Sequence, residues 1–201
     1  CMLVFLSCST ELNESSVPLL KVSENQRYFQ QENGDPFFWM GDTGWLLFKK
    51  LKREEVYKYL NDRSRKGMNV IQAMVVHSIH DNTNIYGDSA LISHNLAHPL
   101  TTRGNSFEDP EQYDFWDHVD FIIDLAAEKG IYMALVPVWG SNVKNGLVSR
   151  EEAKVYAGWL AERYRDRPNI IWLNGGDVRG SDSLNIWLEM GRILDNTDTA
   201  H

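Results

Sequence analysis

Residues 169–177 read Asn169-Ile170-Ile171-Trp172-Leu173-Asn174-Gly175-Gly176-Asp177. A short apolar run is followed by an amide, two glycines and a carboxylate. This order is typical of a buried parallel strand that delivers an acidic side chain to the rim of an α/β sheet, where such folds place their active sites. The same residues also fit a plain strand followed by a glycine turn and an Asp helix cap. The preceding sequence decides between the two interpretations.

Three earlier apolar runs predict further strands, and each strand is followed by a helical pattern. The runs are Pro36–Met40, Asn69–His77 and Ile131–Gly140. Pro137, which has no N–H for a strand ladder, predicts a bulge or a strand end. The predicted helices are Lys52–Lys66, Tyr113–Glu128, a third that opens at Ser149 with Glu152 as a capping box, and Ser183–Leu194. Gly67 and Gly130 follow the first two helices, as helix-ending glycines do.

This alternation requires parallel strands joined by right-handed crossovers. It fits either a doubly wound open sheet or a (β/α)8 barrel. No glycine-rich phosphate-binding pattern follows any strand, so nucleotide-binding open sheets lose support. A whole barrel takes about 250 residues. We therefore predict an α/β fold of the (β/α)8 TIM-barrel type, with about the first four βα units in residues 18–201. An N-terminal β-hairpin, formed by Lys21–Ser23 and Tyr28–Gln30, is expected to cover one end of it.

The N-terminus carries a different signal. Met2–Leu6 is a short apolar run, Ser7 and Cys8 follow it, and the polar stretch Ser9–Ser16 comes next. The pattern resembles the end of a bacterial lipoprotein signal with Cys8 as the acylated residue. We expect residues 1–17 to be a truncated signal and tether. The protein is then expected in the bacterial cell envelope, lipid-anchored or secreted, with membrane contact only through this anchor. The alternative is an N-terminus without such a role.

Composition excludes several classes of function. The 201 residues carry a formal net charge of -8 without a basic cluster, which makes nucleic acid a poor partner. Both cysteines, Cys1 and Cys8, lie at the N-terminus, so the body has neither a disulfide framework nor a thiolate metal site.

Polar or aromatic residues end every predicted strand. They are Asp42, Trp45, His77, His80, Trp139, Asn174 and Asp177. In a barrel these strand ends converge on one face, where active sites are built. Each residue also has an ordinary interpretation: Asp42 as a turn cap, His77 as a core histidine, and the tryptophans as packing residues.

Two kinds of chemistry fit this face. His77 and His80, beside Asp81, could begin a metal site, but a zinc site needs three or four ligands and the other histidines of the body stand singly. Glycoside hydrolysis fits better, because it uses paired carboxylates, aromatic rings that stack on sugar faces, and amides or imidazoles that bind hydroxyls. Asp177 is a plausible acid with Asn174 as its hydroxyl-binding neighbour, whereas a second carboxylate is not evident. We expect a carbohydrate partner, no metal and no cofactor.

Several motifs resemble the apiosidase-like barrels of glycoside hydrolase family 140. They are Phe38–Trp45, Gly67–Gln72, Gly130–Met133, Pro137–Gly140 and Ile170–Asp177. The resemblance covers about residues 19–201. It implies a (β/α)8 barrel, often secreted or lipid-anchored, that releases apiose-containing units from pectin by a retaining mechanism. Asp177 matches the acid/base position after strand four. Related retaining barrels carry Asn-Glu there, so Gly-Gly-Asp departs from their pattern while matching this family.

The resemblance puts the nucleophile in strand seven of the barrel, beyond this sequence. We therefore expect the 201-residue chain alone to lack glycosidase activity. Two alternatives stay open: a non-catalytic carbohydrate-binding surface protein on the same barrel, and a metal-dependent barrel hydrolase that uses His77 and His80.

Overall fold

A computed structural model describes residues 17–198 of the chain. The strands β1–β7 are Leu20–Val22, Phe29–Gln31, Pro36–Phe37, Gly41–Thr43, Val70–Val76, Tyr132–Val138 and Ile170–Trp172. The helices α1–α6 are Leu47–Lys50, Arg53–Arg65, Phe115–Glu128, Gly140–Lys144, Arg150–Tyr164 and Leu184–Thr197, with 3-10 turns at Ile92–His94 and Gly180–Ser183. The predicted lipid anchor Cys8 lies outside the described residues. Within them, no helix is long and apolar enough to cross a membrane.

The main sheet is parallel throughout, with the strand order β4-β5-β6-β7. The helices cover its outer face, where Ile71 and Met133 belong to the same buried cluster as Trp116 and Tyr156. Val70 and Tyr132 face the other way and form a second buried cluster with Val17 and Ala134. Because both faces of β5 and β6 are buried, their sequences are apolar almost without interruption. The predicted α/β fold with parallel crossovers is confirmed.

The N-terminal hairpin forms a separate antiparallel sheet in the order β1-β2-β3. It packs at the amino ends of β5 and β6, where the rings of Phe37 and Tyr132 lie 5.1 Å apart. The Tyr132 hydroxyl also donates a hydrogen bond to the carbonyl of Pro18. The hairpin thus closes the end of the sheet opposite to the strand ends that carry the predicted site.

The first strand of the main sheet lies later in the chain than the predicted Pro36–Met40. Pro36–Phe37 belongs to the hairpin sheet, and Gly41–Thr43 pairs with β5. The reason is the side chain of Asn69, which accepts a hydrogen bond from the Met40 N–H at 2.8 Å and donates to the Phe38 carbonyl at 2.7 Å. These bonds hold residues 38–40 beside the start of β5, before the ladder begins.

Capping residues account for most of the helix boundaries. Helix α5 starts after Ser149, whose hydroxyl accepts from the Glu152 N–H, as predicted. Helix α3 starts at Phe115, two residues later than predicted, because the Asp114 carboxylate accepts from the N–H groups of Trp116 and Asp117. Helix α6 ends at Thr197, three residues beyond the prediction, and the short helices α1 and α4 were not predicted at all.

Pro137 lies within β6 rather than at its end. The ladder between β6 and β7 runs only from Met133–Ile170 to Leu135–Trp172. The backbone N–H and carbonyl groups of odd-numbered residues in β6 point toward β7, as shown by the bond from the Met133 N–H to the Asn169 carbonyl. Pairing continues to the bond from the Leu173 N–H to the Leu135 carbonyl at 2.8 Å, and the next donor on this side of β6 would be Pro137, which has no N–H.

A long loop, residues 77–114, connects β5 to α3. Buried Asn82 holds it together: its Nδ2 donates to the Ile79 carbonyl and its Oδ1 accepts from the Ala90 N–H at 3.1 Å. The indole N–H of Trp116 donates to the Ala90 carbonyl at 2.9 Å and ties the loop to α3. The loop is therefore an ordered part of the face that carries the strand ends.

Candidate active site

The carboxyl ends of β4, β6 and β7 enclose a cleft of about 440 Å³. The rings of Trp45 and Trp139 meet in its wall, with centroids 5.6 Å apart and planes inclined by 50°. Val136, Leu173 and the segment 174–177 complete the lining. The structure thus brings together four of the residues that the sequence singled out: Trp45, Trp139, Asn174 and Asp177.

The two glycines before Asp177 have separate structural reasons. Gly175 has φ +144°, a conformation that L side chains rarely adopt. Gly176 lies against the start of α4, so closely that a Cβ at residue 176 would stand 2.5 Å from the Gly140 nitrogen. Gly140 needs the absence of a side chain in turn, because its own Cβ would stand 2.7 Å from a methyl group of Val178. The Gly-Gly-Asp motif therefore lets the loop after β7 lie against α4 and carry Asp177 to the cleft.

We expect Gly176→Ala to lower the free energy of unfolding by about 1–3 kcal/mol, because the added methyl group meets backbone that can move only with α4. Gly180→Ala is the matched control: nothing lies within 4 Å of a Cβ there and φ is ordinary, so its effect is expected within about 0.5 kcal/mol of zero. Urea unfolding measures both. Equal stabilities for the two variants would contradict the close approach of the loop and α4.

Asp177 is exposed at the edge of the cleft. Within residues 17–198 no group forms a hydrogen bond or ion pair with its carboxylate. It is also the one carboxylate among the described residues that line the cleft. A ligand that stacks on the two tryptophans would therefore contact a carboxylate that has no hydrogen-bond or ion-pair partner among the described residues.

Asn174 borders the cleft, but its amide nitrogen is in use. Nδ2 donates to the Trp187 carbonyl of α6 at 2.7 Å. A Cβ on Gly191 would stand 2.7 Å from the same nitrogen, so Asn174 fits against α6 at a position without a side chain. Asn174 thus anchors the end of β7 to α6 through Nδ2, and its hydroxyl-binding role stays a prediction.

Asp42 does not line the cleft, in contrast to the prediction. It lies inside β4 opposite Ile71, whose side chain faces the helices, so Asp42 faces them as well. Its Oδ2 accepts from the Tyr59 hydroxyl at 3.1 Å and pairs with Arg63 Nε at 3.1 Å. Burial, followed by the Asp42 charge, raises the pKa of Tyr59. Asp42 therefore joins β4 to α2 on the outer face.

His77 and His80 also lie outside the cleft lining. His77 faces a small cavity that Lys49 and Asp81 also line, and burial, followed by the charges of Lys49 and Lys50, lowers its pKa. His80 is exposed and meets the ring of His94 edge-on, with centroids 5.7 Å apart. In the described part of the chain, no three His, Cys, Asp or Glu side chains group as metal ligands.

Two residues that hold the loops around the cleft without lining it, Gly140 and Asn142, were not predicted as site residues. Both lie in α4, which has five residues and too little periodicity to predict a helix. The only signal was the sequence Trp139-Gly140-Ser141-Asn142 after a strand, where a glycine suggests close packing and an Asn suggests a turn.

A family model described as the apiosidase-like catalytic domain matches residues 23–201. The chain belongs to this apiosidase-like family. The match covers the sheet, the cleft and the Gly-Gly-Asp segment, and it confirms the resemblance deduced from the sequence motifs. No curated protein matches the chain.

Solved structures place this apiosidase-like chain among glycoside hydrolase barrels. A structure described as a glycoside hydrolase is 40% identical, with a TM-score of 0.81, and the match covers 92% of this chain and 40% of that one. A family 5 glycoside hydrolase from Bacteroides vulgatus ATCC 8482 is also 40% identical, with a TM-score of 0.81, over 91% of this chain and 38% of that one.

A more distant neighbour shows the same fold alone. It is the endo-1,4-beta-D-mannanase from Thermotoga petrophila RKU-1, 18% identical with a TM-score of 0.61, over 82% of this chain and 54% of that one. The predicted barrel type is thus confirmed. The chain spans 40% and 38% of the lengths of the two structures that it matches at 40% identity.

Proposed function

We propose that this chain supplies the proton donor and one wall of the substrate cleft in a retaining glycoside hydrolase that acts on plant cell-wall polysaccharide. The proposed substrate is pectin with apiose-containing side chains, as the family resemblance implies. One observation carries the proposal: Asp177, a carboxylate without a described partner, stands beside the Trp45–Trp139 pair. The family resemblance implies the acid/base role for this position.

The proposed chemistry follows from what each side chain can do. Indole rings present flat apolar faces on which the C–H face of a sugar packs. Protonated Asp177 would donate to the glycosidic oxygen as the bond to the leaving sugar breaks, and as a carboxylate it would then activate the water that attacks the glycosyl–enzyme bond. That cycle needs a second carboxylate as nucleophile, and the described cleft residues contain only Asp177.

The 201-residue chain alone is therefore proposed to bind sugar without hydrolysing it. The second candidate function, a non-catalytic carbohydrate-binding protein, is favoured by the same absence of a second carboxylate from the described cleft lining. The two candidates differ in a polypeptide with a complete barrel. Release of reducing sugar from apiose-containing pectin supports the hydrolase, whereas binding without release supports the binding protein.

The cleft is tested by Trp139→Ala in the 201-residue chain. We expect the variant to bind pectic oligosaccharides about tenfold more weakly, since truncating a central aromatic contact costs about 1–2 kcal/mol. Tyr57→Ala is the control, because Tyr57 is an exposed aromatic residue of α2 outside the cleft, and its affinity is expected to equal that of the wild type. Isothermal titration calorimetry measures both. An unchanged affinity of Trp139→Ala would remove the aromatic pair from the proposed site.

A further inference from the structure

Helix α4 lies between the loops that follow β5, β6 and β7. Its residue Asn142 is buried, with 4% of its surface exposed, although it stands one turn from an open cleft. The ladder of β5 and β6 ends at the bond from the Trp139 N–H to the Val76 carbonyl, 2.9 Å long. Beyond that bond, the two strand ends have to be held by other groups.

The Asn142 side chain supplies those groups. Its Nδ2 donates to the carbonyls of His77 and Trp139, both at 2.9 Å. Its Oδ1 accepts from the Ile79 N–H at 3.0 Å. Both donors and the acceptor of one amide are therefore used, and all three partners are backbone groups of the loops after β5 and β6.

The opposite side of α4 meets the loop that carries Asp177. Gly140 is in contact with Gly176, as the 2.5 Å approach to an added Cβ shows. One short helix thus contacts the end of β5 through Asn142 and the loop after β7 through Gly140. Trp139, which precedes the helix, forms half of the aromatic wall.

We propose that Asn142 is a positioning residue of the cleft, which fixes Trp139 against Trp45 and, through α4, sets the loop that carries Asp177. Asn142 touches no ligand in this role. The expected effect of Asn142 on sugar affinity rests on the proposed function. Its expected effect on the geometry of the Trp45–Trp139 pair is independent of that function.

Asn169 provides the matched control, because its buried amide also bonds to backbone groups of two different segments, at the other end of the sheet. It is 1% exposed, and its Nδ2 donates to the carbonyls of Ile123 and Ile131 at 2.9 and 3.3 Å. Asn142→Ala and Asn169→Ala each remove a buried amide that donates to two backbone carbonyls. Both are expected to lower the urea midpoint by comparable amounts. A difference between the two variants in the tryptophan couplet or in sugar affinity would therefore come from the location of Asn142 beside the cleft rather than from a general loss of stability.

The first readout is the exciton couplet of the Trp45–Trp139 pair in far-ultraviolet circular dichroism, isolated by subtracting the spectrum of Trp139→Phe. We expect Asn142→Ala to lose most of this couplet and Asn169→Ala to keep it. Asn142→Asp serves if the alanine variant does not fold, since it keeps the acceptor for Ile79 and loses both donors. A full couplet in a folded Asn142 variant would overturn the proposal.

The second readout is affinity for pectic oligosaccharides in the 201-residue chain. We expect Asn142→Ala to bind about tenfold more weakly, because small displacements of a binding group have effects of that size or larger. Asn169→Ala is expected to bind as the wild type does. If the wild-type chain binds no sugar, the proposed function is overturned, and the positioning role is then tested by the circular-dichroism couplet alone. Wild-type affinity in a folded Asn142→Ala would overturn the positioning role.

Discussion

In a polypeptide with a complete barrel, Asp177→Ala is expected to lower kcat for the natural glycosidic linkage by about 10²–10⁴-fold, the contribution typical of a positioned general acid. KM is expected to change little, because in the proposed mechanism the carboxylate acts on the bond that breaks, whereas the two tryptophans of the cleft, Trp45 and Trp139, would bind the sugar. Asp177 has no hydrogen-bond partner among the described residues, so its removal should leave the fold intact.

Asp182→Ala is the control for this variant. Asp182 is another exposed aspartate, in the 3-10 turn that follows the same loop, and it lies outside the cleft lining. Its kcat is expected to match the wild type. If Asp177→Ala raised KM and left kcat unchanged, the side chain would be a binding group rather than the acid.

The second large effect is expected from pH and concerns His118. The ring is fully buried; Nε2–H donates to the Leu51 carbonyl at 2.9 Å, and Nδ1 accepts from the Tyr113 hydroxyl at 3.2 Å. Burial lowers the pKa of His118 to about 4 from its ordinary value of 6.5. Between these values the unfolded chain binds a proton that the folded chain does not. The contribution of His118 to the free energy of unfolding is therefore fully present above pH 6.5, and about 3 kcal/mol of it is lost as pH drops to 4.

His118→Gln tests this expectation, because glutamine can donate to the Leu51 carbonyl without titrating. Burial raises the pKa of neighbouring Asp117 to about 6. Between pH 3.8 and 6 the folded chain therefore binds a proton at Asp117 that the unfolded chain does not, and this contribution to the unfolding free energy is lost as pH rises, opposite to the contribution of His118. The difference in unfolding free energy between wild type and His118→Gln cancels the contribution of Asp117. It should grow with pH between 4 and 6.5, and a constant difference would show that His118 is protonated inside the fold.

Local patterns in the sequence predicted most of the fold. Runs that are apolar at nearly every position marked β5 and β6, and the Ser149–Glu152 capping box marked the start of α5. The meeting of Trp45, Trp139 and Asp177 also followed from the sequence, because parallel strands end on one face. These features depend on residues close together in the chain, or on a rule that holds for every parallel sheet.

The errors came from contacts between distant residues. The Asn69 side chain, 29 residues from Met40, moves the first strand to Gly41–Thr43. Asp42 then lies within the strand rather than after it, and pairing with Ile71 turns it toward α2. Asn142 was missed for the same reason, since two of the three partners of its side chain lie 63 and 65 residues away.

If Asp177 donates the proton to the leaving sugar, the effect of its removal must depend on the leaving group. The measurement compares kcat/KM of wild type and Asp177→Ala, in a polypeptide with a complete barrel, on aryl glycosides with good and with poor leaving groups. We expect a large loss of kcat/KM on poor leaving groups and near-wild-type kcat/KM on good ones, which depart without a proton in the glycosylation step that kcat/KM reports. Equal losses on both would contradict it and assign the acid to another residue.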